Sequence, residues 1–124
     1  MDARRSVRAP KPPRVRAKHR LGRCYELAGK GIFYGGGDRG WVLVHGIAWC
    51  GGHAWLQNGD WVYDAVKDKC FTAPQYVAEF QATPIRVYTR DEVFARSCEY
   101  GHWGPWHDPV AALIEYERKR GQIT

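Results

Sequence analysis

The chain has 124 residues, 44% of them hydrophobic, with six Trp and seven Tyr, which suits one domain with a modest core. No apolar run reaches the roughly 18 residues of a membrane-spanning helix, and the basic N-terminus lacks the apolar stretch of a secretory leader. The net charge of +6 is unevenly placed: residues 1–23 hold nine Lys or Arg and one acid, so the rest is slightly acidic. Without a leader, Cys24, Cys50, Cys70 and Cys98 read as free thiols of a reducing, cytoplasmic setting.

Residues 1–20 carry Arg4, Arg5, Arg8, Lys11, Arg14, Arg16, Lys18 and Arg20, with Pro10, Pro12 and Pro13 among them. The segment has few apolar residues and no period, so it predicts a flexible arm ahead of one domain over 21–124. Its charge suits contact with nucleic acid or an acidic partner; a solvated tail explains it equally.

Leu21, Cys24, Leu27 and Ala28 share one helical face, and Gly29 and Gly31 predict an early helix end. Cys24 then lies in the first turn, where unpaired N–H groups and the macrodipole favour a thiolate. Residues 32–34 read as a short strand. The Gly35–Gly40 loop lacks the Lys and the flanking elements of a phosphate cradle. Residues 41–47 read as a buried strand.

Asn58-Gly59 is a strong two-residue hairpin signal between aromatic and β-branched runs. Folding on that turn sets Gln57 opposite Asp60, Trp55 opposite Val62 and His53 opposite Asp64, which predicts a meander over 41–47, 53–57 and 60–66. Thr72-Ala73-Pro74-Gln75 and Thr89-Arg90-Asp91-Glu92 are capping boxes, each opening a helix, with a strand over 85–88 between them. Val93, Phe94 and Cys98 are expected to face the core, and Gly101 to end the helix. The aromatic loop 102–107 and a last helix from Asp108 follow. The class is α+β.

A cysteine nucleophile needs its anion favoured, a base within reach and a group that orients the base. Cys24 at a helix start, with His53 and Asp64 on neighbouring strands, supplies these types in that order. Gly22-Arg23-Cys24, His53-Ala54-Trp55 and Trp61-Val62-Tyr63-Asp64 together resemble the core of the transglutaminase-like superfamily, whose members share a papain-like arrangement of Cys, His and Asp. The resemblance covers roughly residues 21–66, about a third of the chain, and short standalone bacterial and phage-encoded proteins share it. It implies a papain-like fold and an acyl-enzyme mechanism on a peptide or protein amide, with no cofactor or metal. Cys24 would be the nucleophile, His53 the base and Asp64 its orienting group. Two departures stand out. The Cys24-to-His53 spacing is short for the family, and no Gln precedes Cys24 to serve as an oxyanion donor; Trp41 and Trp49 are the candidates for that place. His45, Trp41, Trp55, Trp103 and Trp106 are candidates to line a cleft.

Structural readings stand beside these. A free Cys is often a small buried apolar group, and a His opposite an Asp can be a satisfied structural pair. Cys50 with His53 and Cys98 with His102 have spacings that zinc sites use, which would take His53 from the triad. A binding protein of the same fold is the alternative to an enzyme.

Overall fold

The computed structural model describes residues 8–49 and 51–106. The elements run α1 (Cys24–Phe33), a short 3-10 turn (Gly36–Arg39), β1 (Val42–Ala48), β2 (Gly51–Asn58), β3 (Trp61–Asp64), β4 (Lys69–Thr72), α2 (Ala73–Phe80), β5 (Thr83–Tyr88) and α3 (Arg90–Tyr100). The strands form one antiparallel sheet in the order β4-β3-β2-β1-β5. The expected α+β class holds. The last expected helix, from Asp108, lies outside the described residues.

Alternation along the strands divides the core in two. Leu43, Ala54, Leu56 and Tyr63 meet Leu27, Ala28 and Ile32 of α1 and Val93 of α3. The other face sends Val44, Trp55, Val62 and Phe71 against Tyr76 of α2. Burying both faces explains why β1 reads as a nearly continuous apolar run. In α3, Val93 is buried as expected, whereas Phe94 and Cys98 are exposed, Phe94 stacking on Phe33 at 5.6 Å between ring centroids.

Both capping boxes form: Thr72 accepts from the backbone of Gln75, and Thr89 from that of Glu92, while the Gln and Glu side chains reach back. Gly101 ends α3 in the left-handed conformation. The hairpin turns one residue later than the sequence suggests. Asn58 pairs with Trp61, Gln57 with Val62 and Leu56 with Tyr63. Gly59 alone takes a positive φ, of 58°, at the first central position, where a type II′ turn wants glycine. Asn58 stays in the strand and donates its side-chain amide to the Arg39 carbonyl at 3.1 Å. Moving the turn by one position moves the pairing by two residues. His53 is therefore diagonal to Asp64 instead of directly opposite, and both keep the same face.

The glycines of α1 do not end it. The helix passes through Gly29 and Gly31 to Phe33, and residues 32–34 form no strand. These glycines permit close approach. A Cβ on Gly31 would lie 2.7 Å from the Pro13 carbonyl oxygen and 3.1 Å from Leu56 Cδ1; one on Gly29 would lie 2.8 Å from Trp103 Cε3.

The Pro13 contact is a difference from the expected flexible arm. Residues 8–20 form no helix or strand, yet they lie along the domain as a strap. Pro13 is buried, and Val15 and Ala17 pack on the core. Lys11 offers its carbonyl to the Trp41 indole N–H at 3.1 Å. Arg14 bonds Asp68 at 2.7 Å, and Arg20 donates to the Ala65 carbonyl at 2.7 Å while also bonding the Val15 carbonyl.

Gly31→Ala distinguishes a packing glycine from a helix breaker. The backbone clash with Pro13 predicts a loss of about 1–3 kcal/mol in urea unfolding. A glycine that merely weakened the helix would give a gain of about 1 kcal/mol on the same substitution.

Candidate active site

Cys24 is the first residue of α1. Gly22, at φ 79°, turns the strap into the helix, and Arg23 occupies the N-cap without a side-chain cap bond. Arg23 instead forks onto Glu26, both contacts at 2.9 Å, and Lys30 meets the same carboxylate at 2.7 Å. The hydrogen bonds to Arg23 and Lys30 hold the Glu26 carboxyl down at about 2. An acid in the first turn and a base in the last both suit the helix dipole.

Asp64 ends β3 and is almost fully buried, at 1% exposure. A carboxylate in that position needs donors. Its Oδ1 accepts the backbone N–H groups of Val66 at 3.0 Å and Lys67 at 2.9 Å. Its Oδ2 accepts the Tyr76 hydroxyl at 2.6 Å and faces His53 Nε2 at 3.0 Å. Burial alone would raise this carboxyl, but the bonds from His53, Tyr76 and the Lys67 backbone outweigh it and hold it below its ordinary range. Asp64 is therefore an anion at neutral pH.

His53 lies on β2 with its side chain 14% exposed. Burial disfavours its charged form. The hydrogen bonds to Asp64 and to Cys24, with their charges, act the other way and raise the ring from its ordinary 6.5 to about 10. Cys24 at the start of α1 and His53 of the sheet border one cleft, close enough for the sulfur to act on the ring. Because Nε2 points at Asp64, Nδ1 is the nitrogen left for the sulfur. The structure thus brings together Cys24, His53 and Asp64, which the sequence singles out from three different elements.

These residues open into a cleft of about 340 Å³, within the roughly 300–1,000 Å³ usual for small-ligand sites. Leu21, Ala48, Trp49, Val66, Lys67 and Phe80 are among its walls. Tyr76 also lines it and is the functional candidate that sequence reasoning missed. It reads there as one apolar residue of α2, but its hydroxyl is within 3.0 Å of His53 Nε2 as well as bonded to Asp64. The available signal was chemical: a buried Tyr needs a partner for its hydroxyl, and a buried Asp needs donors.

The other candidates are placed elsewhere. Trp41 is buried and gives its indole N–H to Lys11, which removes it as an oxyanion donor, whereas Trp49 does border the cleft and is 70% exposed. Trp55 is core, packed on Tyr76 at 5.4 Å between centroids. Trp103 covers Gly29 and Phe33. Trp106 stacks on His45 at 5.1 Å and donates to the His102 carbonyl at 2.8 Å. His45 points to the α1 face of the sheet, boxed by Tyr25 and Tyr88, and none of these four residues lines the cleft. Burial, then the nearby Arg86 charge, lowers His45 to about 4, so it is neutral at physiological pH.

Of the basic candidates, Arg14 and Arg20 are engaged within the chain; Arg8, Lys11, Arg16 and Lys18 are exposed, and Arg4 and Arg5 lie outside the described residues. Cys50 also lies outside them, and Cys98 is exposed. Among the described residues no three His, Cys, Asp or Glu side chains gather as metal ligands, and no helix is long and apolar enough to cross a membrane. No family model, curated protein or solved structure matches the chain.

The raised His53 value makes a signed prediction. Folding stabilises the charged ring, so this contribution is complete below about pH 6.5 and is lost as pH rises through about 10. Chemical denaturation across pH 6.5 to 10 should show wild type losing stability relative to His53→Gln. A constant offset between the two proteins across this window would contradict the charged pair.

Proposed function

We propose that the protein is a thiol-dependent enzyme that cleaves or transfers an acyl group from a peptide or protein amide, with a papain-like arrangement of transglutaminase type. The observation that carries this reading is the His53–Asp64 pair, in contact at 3.0 Å, with Cys24 beside it at the wall of one cleft. A helix start, a histidine strand and an aspartate strand supply the three groups in the order that the sequence resemblance implies.

In the proposed cycle His53 already holds the proton taken from Cys24 before substrate binds, in keeping with its raised pKa, and the anionic sulfur attacks the amide carbon. The carbonyl π electrons move to oxygen, and the backbone N–H of Cys24, the first residue of the helix, is the first donor to that oxyanion. Trp49 is the remaining candidate for a second donor. Collapse re-forms the carbonyl and breaks the C–N bond, while His53 passes its proton to the departing amine. A thioester on Cys24 remains. Water then attacks it with His53 as base, releasing a carboxylic acid and restoring the sulfur anion beside the charged ring; an amine in place of water would give a new amide. Asp64 stays ionised throughout, fixing the ring and balancing its charge. Tyr76 and the two backbone donors hold Asp64 in turn.

Iodoacetamide labelling at pH 7, resolved by peptide mapping, tests the pairing. Cys24 should react at least tenfold faster than exposed Cys98, and His53→Ala should remove about tenfold of that advantage. Equal rates at Cys24 and Cys98, or no response to His53→Ala in a protein that keeps its wild-type circular dichroism, would overturn the reading.

A further inference from the structure

We propose that the cleft selects acidic peptides: a bulky apolar side chain lies on Trp49 and Phe80, and a neighbouring carboxylate meets Lys67. This rests on the enzyme reading above and names its substrate class. Two independent features of the walls carry it.

The first is exposed apolar surface where a folded chain has no need of it. Leu21 is 89% exposed and Trp49 is 70% exposed, and both border the cleft that holds Cys24 and His53. Scattered exposed apolar residues are ordinary. Here two converge with Phe80 and Val66 on one concavity beside a candidate nucleophile. Trp49 is anchored for such a role, because its backbone N–H donates to the Phe80 carbonyl at 3.0 Å. That bond sets the β1–β2 connection beside the end of α2, and both aromatic residues border the cleft. The indole offers area at little entropic cost on binding.

The second feature is charge. Among the described residues lining the cleft, Lys67 is the one exposed formal charge; Asp64 is buried and His53 is paired with it. The Lys67 ammonium lies 4.8 Å from the Phe80 ring centroid, so the cation is held against the aromatic wall. Its backbone is fixed too, since the Lys67 N–H is one of the donors to Asp64 Oδ1. The positive group is thus tied in position to the triad. A carboxylate near the scissile amide gains from it, and a substrate ammonium is repelled.

Active-site-directed probes test this without a known substrate. The dipeptide chloromethyl ketones acetyl-Glu-Phe, acetyl-Lys-Phe and acetyl-Glu-Gly would be compared by the rate at which they alkylate Cys24. Wild type should prefer the Glu-Phe probe to the Lys-Phe probe by about fivefold, the scale of one exposed charge pair. Lys67→Glu should invert that order, and Trp49→Ala should shrink the advantage of Glu-Phe over Glu-Gly. Equal rates for the Glu and Lys probes in wild type, or an order unchanged in Lys67→Glu, would overturn the proposal. Iodoacetamide labelling of the same proteins separates the two levels. Fast labelling without probe preference sinks only the substrate class, whereas slow labelling sinks the enzyme reading beneath it.

Discussion

The buried carboxylate of Asp64 is the constraint on which the rest of the site depends. An ion at 1% exposure is costly unless its lone pairs are met, and here four donors meet them. They come from three elements: β2 through His53, the turn after β3 through Val66 and Lys67, and α2 through Tyr76. Each element is therefore positioned by the same carboxylate, and the imidazole inherits its orientation and charge from it. Removing the carboxylate would leave several buried donors unpaired at once.

The turn that satisfies Asp64 is itself held from outside the sheet. Arg20 bonds the Ala65 carbonyl, and Asp68 at the far end of the turn takes the Arg14 guanidinium and the Tyr63 hydroxyl. Asp68 adopts φ 54° there, a left-handed conformation that Asp tolerates better than most residues. The basic strap thus reaches the site by two contacts on one turn. It then leads through Leu21 and Gly22 into Cys24, so the same segment supports the carboxylate and delivers the thiol. Bare glycines in α1 and in the following turn make room for Pro13 to lie against the helix.

Much of this is legible from local chemistry. The two Thr capping boxes, the glycine end of α3 and the antiparallel meander follow from residues close in sequence, where the physics is short-range. The hairpin turns one position beyond the one its sequence suggests because an Asn-Gly pair satisfies more than one turn type, and the Asn58 bond to Arg39 that keeps Asn58 in the strand is nonlocal. The His53–Asp64 contact survived since a two-residue shift preserves the face. Gly29 and Gly31 carry the same nonlocal ambiguity: a glycine that breaks a helix and one that lets Pro13 or Trp103 approach look alike in sequence. Strand β4 is not legible because Lys69–Thr72 is four residues long and follows a polar turn, too short for a period to show. The attachment of the strap is not legible in sequence because its anchors are arginines, whose partners lie about 50 residues away or on backbone carbonyls.

The central claim is that Cys24, activated by His53, carries an acyl group through the cycle. Intact-protein mass spectrometry after brief mixing with p-nitrophenyl acetate tests it most directly. The account predicts one acetyl group per chain, mapped to Cys24, with a matching burst of nitrophenolate that Cys24→Ala eliminates and His53→Ala slows by about a hundredfold. Acetylation spread over Cys70, Cys98 and lysines, or a Cys24 adduct formed equally fast without His53, would contradict it.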